Sequence, residues 1–312
     1  MNRAEIEAAA QRLRALSPAF VLETPLWKLP AAALGLAGAE VWLKLEQLQA
    51  GGSFKARGMM NQLLANEIPP SGVIVASGGN AGIATAAAAR ALGVRCEVFL
   101  PILSSAAKQA KLRELGADVV VIGAAYSDAL QACVVRQQQT GALMTHAYDQ
   151  PEVVAGAGTL ALELEAQGGV PDSILVSVGG GGLIAGIAVW FAQRTRVLAL
   201  EPELAPTLFE ARRAGHPVDV AVSGIAADSL GARRIGAIAW EVTQRHVKQS
   251  LLLPDAAIRH AQLTLWKQLK LAVEPAAALG LAALQTGAYQ PRDGERVCLV
   301  LCGANLDPAT LA

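Results

Sequence analysis

The chain has 312 residues, of which 53% are hydrophobic and 17% charged, and its 26 basic and 26 acidic residues cancel. This composition suits a large buried core arranged in one or two domains. Because no basic stripe appears, nucleic acid is not expected as a partner.

The first residues, 1–5 (MNRAE), are charged and helix-forming, and they lack the apolar core of a signal peptide. The few cysteines stand mostly among apolar neighbours, which suits a reducing compartment. Residues 173–193 carry no charge, but four consecutive glycines in their middle argue against a membrane helix. We therefore expect a cytoplasmic protein without a membrane partner.

Apolar, β-rich runs alternate with alanine-rich helical stretches along the chain. Strands are predicted at residues 41–45, 72–76, 95–100, 118–122, 173–178, 197–200 and 296–301. Helices are predicted between them, at residues 81–92, 105–115, 127–140, 159–167, 183–194 and 255–269. Several strands are continuous apolar runs, as in a parallel sheet buried on both faces, so the rhythm predicts an α/β fold.

The first functional candidate is a lysine in a glycine-rich turn, residues 51–58 (GGSFKARG), after the first predicted strand. With Phe54 beside it, the amine of Lys55 can be held in a partly dry pocket. Burial lowers the pKa of an amine, and an uncharged amine can be a base or a Schiff-base nucleophile. A lone loop lysine is more often a solvated surface residue, so Lys55 needs support from the rest of the chain.

The second candidate is the turn at residues 77–82 (SGGNAG), directly after the predicted strand 72–76. Backbone N–H groups at a glycine-rich helix start bind anions, and Ser77 and Asn80 add side-chain donors. In a plain strand-to-helix turn, Asn80 would only cap the helix. The residues alone leave both interpretations open.

The third candidate is the stretch at residues 177–183 (SVGGGGL), again between a strand and a helix, where backbone amides can cradle a phosphate. A rival interpretation exists. Gly180, Gly182 and Ala185 fit the dinucleotide fingerprint, and Glu201 closes the next strand where a ribose-binding acid is expected. A nicotinamide-dependent oxidoreductase is therefore the competing prediction from this motif.

The fourth candidate is Cys302, in residues 300–305 (VLCGAN) after the last predicted strand. The carboxyl ends of strands are where α/β sheets place ligands, and a neutral thiol can hydrogen-bond there. A small buried core residue is the usual fate of a free cysteine.

One cofactor uses all four features, because it has an aldehyde for the lysine, a phosphate for the glycines and a ring nitrogen for a weak partner. That cofactor is pyridoxal phosphate. At these motifs the sequence resembles the serine/threonine dehydratases of the tryptophan-synthase-β-like fold, also called fold type II of pyridoxal phosphate enzymes. The resemblance covers nearly the whole chain and rests on residues 24–26, 53–58, 77–82, 179–183, 201–202, 302–303 and 305.

The resemblance implies two open, mainly parallel twisted sheets flanked by helices. The expected large, cofactor-binding domain comprises residues 1–45 and 148–312. The expected small domain, residues 46–147, carries the loop with Asn80.

The resemblance also implies a role for each matching residue. Lys55 is expected to bind the cofactor as a Schiff base and to remove the substrate α-proton, with Phe54 against one ring face and Asn80 on the ring 3-hydroxyl. The phosphate, the ring nitrogen and the other ring face are expected to meet Gly179, Gly180, Gly181, Gly182, Leu183, Cys302 and Ser229. The substrate carboxylate is expected at Ser77, Gly78, Asn80 and Ala81. Family members usually have Gly or Ala where Ser229 stands, so its hydroxyl is a departure that alters the pocket.

A cation site of relatives is matched by Glu201 and Ala205, with the carbonyls of Leu230 and Ala232 as further ligands. Thr207 stands where magnesium- or calcium-binding relatives carry an acid. The resemblance therefore favours a monovalent ion such as K⁺.

The activity that the resemblance implies is an ammonia-lyase (dehydratase) reaction, in which L-serine or L-threonine loses water and ammonia to give pyruvate or 2-oxobutyrate. A neutral thiol leaves the ring a weak electron sink, which suits loss of a β-hydroxyl as the α-proton leaves. Gly78 occupies the place of a serine in serine racemases, and Ala81 that of a histidine common in threonine dehydratases. We therefore expect elimination rather than racemisation.

The chain ends soon after Asn305, which favours a catabolic enzyme without a regulatory domain, and relatives are commonly homodimers. One alternative is another β-elimination or replacement on a hydroxy amino acid, such as 3-hydroxyaspartate dehydration. A less favoured alternative is the NAD-dependent oxidoreductase.

Overall fold

Helices and strands alternate along residues 1–311, the part of the chain that the computed structural model describes. The strands are β1 Leu26–Pro30, β2 Ala39–Lys44, β3 Val73–Ala76, β4 Cys96–Leu100, β5 Asp118–Val121, β6 Leu143–Met144, β7 Ser173–Ser177, β8 Arg196–Pro202, β9 Val247–Leu253 and β10 Glu295–Val300. The α-helices are α1 Arg3–Ala15, α2 Lys55–Leu64, α3 Asn80–Leu92, α4 Ala106–Glu114, α5 Tyr126–Thr140, α6 Pro151–Gly168, α7 Gly182–Phe191, α8 Thr207–Ala214, α9 Ala237–His246, α10 Asp255–Leu269 and α11 Pro275–Gln285.

Two sheets carry these strands. The larger has the order β1-β2-β10-β7-β8-β9 and is parallel except for the β1–β2 pair, whereas the smaller has the order β5-β4-β3-β6 and is parallel throughout. Central strands are buried along their whole length, as β7 (SILVS) shows. The predicted fold class, two mainly parallel sheets flanked by helices, is confirmed.

Glycines set the spacing of the helices behind the site. A Cβ atom added at Gly156 of α6 would lie 2.5 Å from the carbonyl oxygen of Arg57 in α2. One added at Gly186 of α7 would lie 2.5 Å from the backbone nitrogen of Gly158 in α6. Backbone therefore packs directly on backbone from α2 through α6 to α7.

A buried ionic cluster lies beside α2. The Arg57 guanidinium is 2.7 Å from Glu46 and 2.9 Å from Glu163, and the Lys44 amine is 2.5 Å from Glu163. Burial alone would raise the pKa of Glu46, but the charge and hydrogen bonds of Arg57 outweigh it and lower that pKa. Removing one partner would leave the other charge buried and unpaired. The cluster therefore holds α2 in place against α6, which carries Glu163.

Three strands and several helices escaped the sequence prediction. Each missed strand lacks a continuous apolar run. β1 ends in Pro30 at a sheet edge, β6 has two residues, and in β9 the first residue, Val247, is followed by the polar residues KQS. Among the missed helices, α11 (PAAALGLAALQ) is buried almost throughout and has no polar face to reveal its period. No helix within residues 1–311 has the length and apolarity needed to cross a membrane.

Candidate active site

A cavity opens at the carboxyl ends of β7 and β10, beside the start of α3. All of the residues predicted to contact the cofactor line it. The lining residues are Phe54, Lys55, Asn80, Tyr148, Ser177, Gly179, Gly180, Gly181, Gly182, Leu183, Ser229, Leu230, Glu274, Ala276 and Cys302.

Lys55 is the first residue of α2, and the loop before it is tied to the end of β10. The backbone N–H of Phe54 donates to the carbonyl of Cys302 at 3.0 Å, and that of Ala304 donates to the carbonyl of Gly52 at 2.9 Å. The Lys55 amine donates to the carbonyl of Ala147 at 2.5 Å.

The burial of Lys55 brings the pKa of its amine closer to neutral pH. Burial lowers the pKa of Lys55 to about 8, against the opposing influence of the Glu274 carboxylate. An amine with this pKa releases its proton close to neutral pH, which both a nucleophile and a proton acceptor require.

The tetraglycine loop forms a bare backbone cradle at the start of α7. Gly181 has a φ of +89°, which favours glycine. A Cβ added at Gly180 would lie 2.2 Å from the ring of Tyr148, and one at Gly182 would lie 2.8 Å from the Tyr148 carbonyl oxygen. The loop thus offers helix N-terminal amides without side chains, which fits a phosphate group.

Cys302 lies just past the end of β10 and is buried. Burial, followed by the nearby Glu274, raises the pKa of its thiol well above the usual range. The thiol therefore stays protonated and neutral, which fits a weak hydrogen-bonding partner for a ring nitrogen.

The predicted carboxylate turn follows β3 directly. The cavity wall includes Asn80, and Ser77, Gly78 and Ala81 stand on the same turn. The Gly79 N–H donates to the Ser77 hydroxyl oxygen at 3.4 Å. A Cβ at Gly82 would lie 1.8 Å from the Ser77 carbonyl oxygen, so only glycine permits this tight turn into α3.

Ser229 also lines the cavity, and its hydroxyl donates to the carbonyl of Ala226, three residues earlier, at 3.4 Å. The hydroxyl that departs from the family pattern therefore has a partner within its own turn.

The predicted cation ligands lie apart from the predicted cofactor contacts, except Leu230, which lines the cavity. Thr207 donates to two of their carbonyls, through its N–H to Ala205 at 3.1 Å and through its hydroxyl to Ala232 at 3.1 Å. Glu201 accepts from the N–H of Leu208 at 2.6 Å. The cation site stays a prediction.

Further contacts of Glu201 bear on the nicotinamide alternative. Its carboxylate also accepts from the Phe209 N–H at 2.9 Å and the Ser250 hydroxyl at 2.7 Å. Glu201 thus caps the start of α8, so its oxygens are engaged within the protein rather than presented to a ribose.

Three lining residues, Tyr148, Glu274 and Ala276, were missed by the sequence analysis. Glu274 is buried, and both of its carboxylate oxygens lie within hydrogen-bond distance of the Asn80 amide nitrogen, at 2.9 and 3.0 Å. The available signal was an acid directly before Pro275, since proline at the first helical position marks a helix start. Tyr148 had no comparable signal, because its place over Gly180 depends on tertiary packing.

Comparison with known proteins agrees with this geometry. A family model described as pyridoxal-phosphate dependent enzyme matches residues 19–303. The chain is 32% identical to an L-threonine ammonia-lyase of Thermotoga maritima, over 86% of this chain and 68% of that protein. It is 36% identical to a phenylserine dehydratase of Ralstonia pickettii, over 88% of this chain and 86% of that protein.

Solved structures are similar over almost the whole chain. The T.th. threonine deaminase superposes with a TM-score of 0.90 and 34% identity, covering 98% of this chain and 99% of that one. Maize serine racemase superposes with a TM-score of 0.91 and 29% identity, covering 99% and 95%.

Proposed function

The chain belongs to the family of pyridoxal-phosphate dependent enzymes, and from that premise we propose that it is an ammonia-lyase acting on L-serine and L-threonine. It would remove water and ammonia to give pyruvate or 2-oxobutyrate. Its cofactor is pyridoxal phosphate.

The observation that carries the proposal is the meeting of Lys55, the tetraglycine loop and Cys302 in one cavity. These groups match an aldehyde, a phosphate and a ring nitrogen, the three functional parts of the cofactor. The relatives named L-threonine ammonia-lyase support the choice of reaction.

When bound, pyridoxal phosphate supplies an aldehyde that captures the substrate amine and a ring that accepts charge from the α-carbon. Lys55 would be its Schiff-base lysine. The remaining contacts would come from Phe54, Asn80, Gly179, Gly180, Gly181, Gly182, Leu183, Ser229 and Cys302.

The chain's own groups account for the binding of the substrate and for the removal of its α-proton. Lys55, whose pKa is lowered to about 8, takes the proton from the substrate α-carbon, while the turn at residues 77–81 holds the substrate carboxylate. Gly78 has no side chain to return a proton to the opposite face, so β-elimination is favoured over racemisation. Cys302 stays protonated, which limits charge build-up on the ring.

We further propose a homodimer in the cytoplasm, with K⁺ at Glu201, Ala205, Leu230 and Ala232. The division into residues 46–147 and the rest is also a proposal. It is supported by sheet membership, since β3 to β6 form the smaller sheet and the other strands the larger.

Release of 2-oxo acid from a panel of amino acids tests the function. The panel contains L-serine, L-threonine, 3-hydroxyaspartate and phenylserine, because one relative is a phenylserine dehydratase. We expect pyruvate from L-serine and 2-oxobutyrate from L-threonine. Turnover of only 3-hydroxyaspartate or phenylserine would replace the proposed substrates.

Lys55→Ala tests the assignment of the lysine. We expect loss of both the bound-cofactor absorbance and turnover. The matched control is Lys111→Ala, at an exposed position of α4, which should keep both. If Lys55→Ala retained absorbance and turnover, the assignment would be wrong.

A further inference from the structure

Asn305 links three parts of the candidate site, although it does not line the cavity. Its side-chain nitrogen donates to the Gly51 carbonyl at 2.8 Å, in the loop before Lys55, and to the Asn80 side-chain oxygen at 2.7 Å, at the start of α3. The backbone of Asn305 also hydrogen-bonds the carboxylate of Glu274, which precedes α11. Asn305 is therefore placed to set how Asn80 is presented to the cavity.

The contact with Gly51 decides which amide atoms face each other. A backbone carbonyl oxygen only accepts hydrogen bonds, so the Asn305 atom beside it must be the nitrogen. That nitrogen only donates, so the Asn80 atom 2.7 Å away must be the amide oxygen. The reversed Asn80 amide would place two NH₂ groups against each other. Asn305 therefore selects one of the two orientations that the Asn80 amide can take.

The selected orientation directs the Asn80 nitrogen toward Glu274. Both carboxylate oxygens of Glu274 lie within hydrogen-bond distance of that nitrogen, at 2.9 and 3.0 Å. One carboxylate in this position takes one N–H group, so the second N–H of Asn80 remains for a ligand in the cavity that Asn80 lines. Asn80 is buried, so an acceptor on the ligand would satisfy a donor that water reaches poorly.

We propose that Asn305 is a positioning residue that presents an N–H group of Asn80, and not its oxygen, to the ring oxygen of the cofactor. The inference rests on the proposed function, which includes the contact between Asn80 and the ring 3-hydroxyl. An N–H donor stabilises an ionised ring oxygen, because a charge-assisted hydrogen bond is about twice as strong as a neutral one. An amide oxygen in its place would favour the protonated hydroxyl. Asn305 thus influences the protonation state of the ring oxygen through Asn80.

A purely structural role of Asn305 predicts a different outcome. A Cβ added at Gly52 would lie 2.8 Å from the Asn305 side-chain oxygen, so this side chain packs against the loop that precedes Lys55. If Asn305 only held that loop, its loss would disturb the cofactor whether or not Asn80 is present. If Asn305 acts through Asn80, its loss has no further effect once the Asn80 side chain is removed. A double-mutant cycle separates the two roles.

The test measures the visible absorbance spectrum and the dissociation constant of the bound cofactor in Asn305→Ala, Asn80→Ala and the double variant. Asn80→Ala should shift the spectrum from the form with an ionised ring oxygen toward the protonated form. It should weaken cofactor binding by about tenfold, the size expected for one hydrogen bond to a charged group. Asn305→Ala should change both in the same direction and by no more, because water in place of the lost amide both donates and accepts. The double variant should match Asn80→Ala within about twofold in affinity.

Asn305→Asp is a second variant, which keeps the shape of the side chain and replaces its donor with an acceptor. It should shift the spectrum at least as far as Asn305→Ala. The matched control is Asn66→Ala, just beyond the end of α2, where the Asn66 side chain donates to the Gln62 carbonyl at 2.8 Å. This control should keep the wild-type spectrum and affinity.

Two kinds of result would overturn the inference alone. One is a wild-type spectrum in Asn305→Ala or in Asn80→Ala. The other is a double variant that binds the cofactor more than about twofold more weakly than Asn80→Ala. Absence of cofactor binding in both wild type and Asn66→Ala would overturn the proposed function and the inference together.

Discussion

At the scale of single residues, the buried amine of Lys55 lowers the stability of the folded protein at neutral pH. A buried amine disfavours its charged form, so folding lowers the pKa of Lys55 from 10.5 to about 8. The unfolded chain therefore binds this proton more tightly than the folded chain. Below pH 8 the lysine lowers the free energy of unfolding, and the loss disappears as the pH rises from 8 to 10.5.

Lys55→Met should therefore stabilise the cofactor-free protein at pH 7. We expect a gain of about 3 kcal/mol from the removed pKa difference, shrinking to near zero by pH 10.5. Urea unfolding at both pH values measures it, with Lys111→Met at the exposed position of α4 as the control. Equal stability of Lys55→Met and wild type at pH 7 would show that the amine is not significantly desolvated.

At the scale of elements, the tetraglycine loop depends on the absence of side chains. The ring of Tyr148 occupies the space beside Gly180, and its hydroxyl donates to the Arg234 carbonyl at 3.3 Å. Any side chain at Gly180 must displace the ring or the loop. The loop's backbone amides would then lose the arrangement that a phosphate requires.

Gly180→Ala should weaken cofactor binding by about a hundredfold or more, because a displaced loop loses charge-assisted hydrogen bonds to phosphate. Cofactor titration into the apo-protein measures this. Tyr148→Ala in the same chain should restore part of the affinity by making room. Gly215→Ala, at an open position with a φ of +78°, should cost about 1 kcal/mol of stability without affecting the cofactor. If Gly180→Ala bound the cofactor with unchanged affinity, the loop would not be the phosphate-binding site.

Local sequence patterns predicted most strands and site loops, but not the contacts between distant elements. Continuous apolar strands followed by glycine-rich turns identified most of the buried sheet and the loops around the cavity, because these signals are local. The Asn80–Glu274 contact joins residues 194 positions apart, so no local pattern specifies it. β6 was missed because a two-residue strand is defined by its partner, β3, rather than by its own composition.

At the scale of the whole molecule, a salt bridge joins the layers of the two sheets beside the cavity. Lys108 of α4 lies 2.7 Å from Asp228, which precedes the cavity residue Ser229. A Cβ added at Gly79 would lie 3.3 Å from the Asp228 carbonyl oxygen. The smaller sheet's helices therefore meet the loop of Asp228 next to the predicted carboxylate turn.

Lys108→Met should change substrate binding more than stability. An exposed ion pair contributes about 0–1 kcal/mol to folding, so the free energy of unfolding should stay within that range. We expect KM for the amino acid to rise by up to about fivefold, and salt should raise the wild-type KM towards the same value. The control is Arg245→Met, which breaks an exposed 2.8 Å pair with Glu241 on α9. If KM changed neither with salt nor in Lys108→Met, the Lys108–Asp228 pair would play no part in substrate binding.

The glycine contacts of α6 fix the distance between the Lys55 amine and the tetraglycine loop. Lys55 begins α2 and Gly182 begins α7, and both helices press backbone to backbone on α6 through Gly156 and Gly158. The atoms nearest a Cβ at Gly156 or at Gly186 of α7 are all backbone atoms, so no rotamer change at these two contacts can alter the spacing. If Lys55 and this loop hold the cofactor as proposed, an aldehyde without a phosphate at the matching distance loses its second point of attachment.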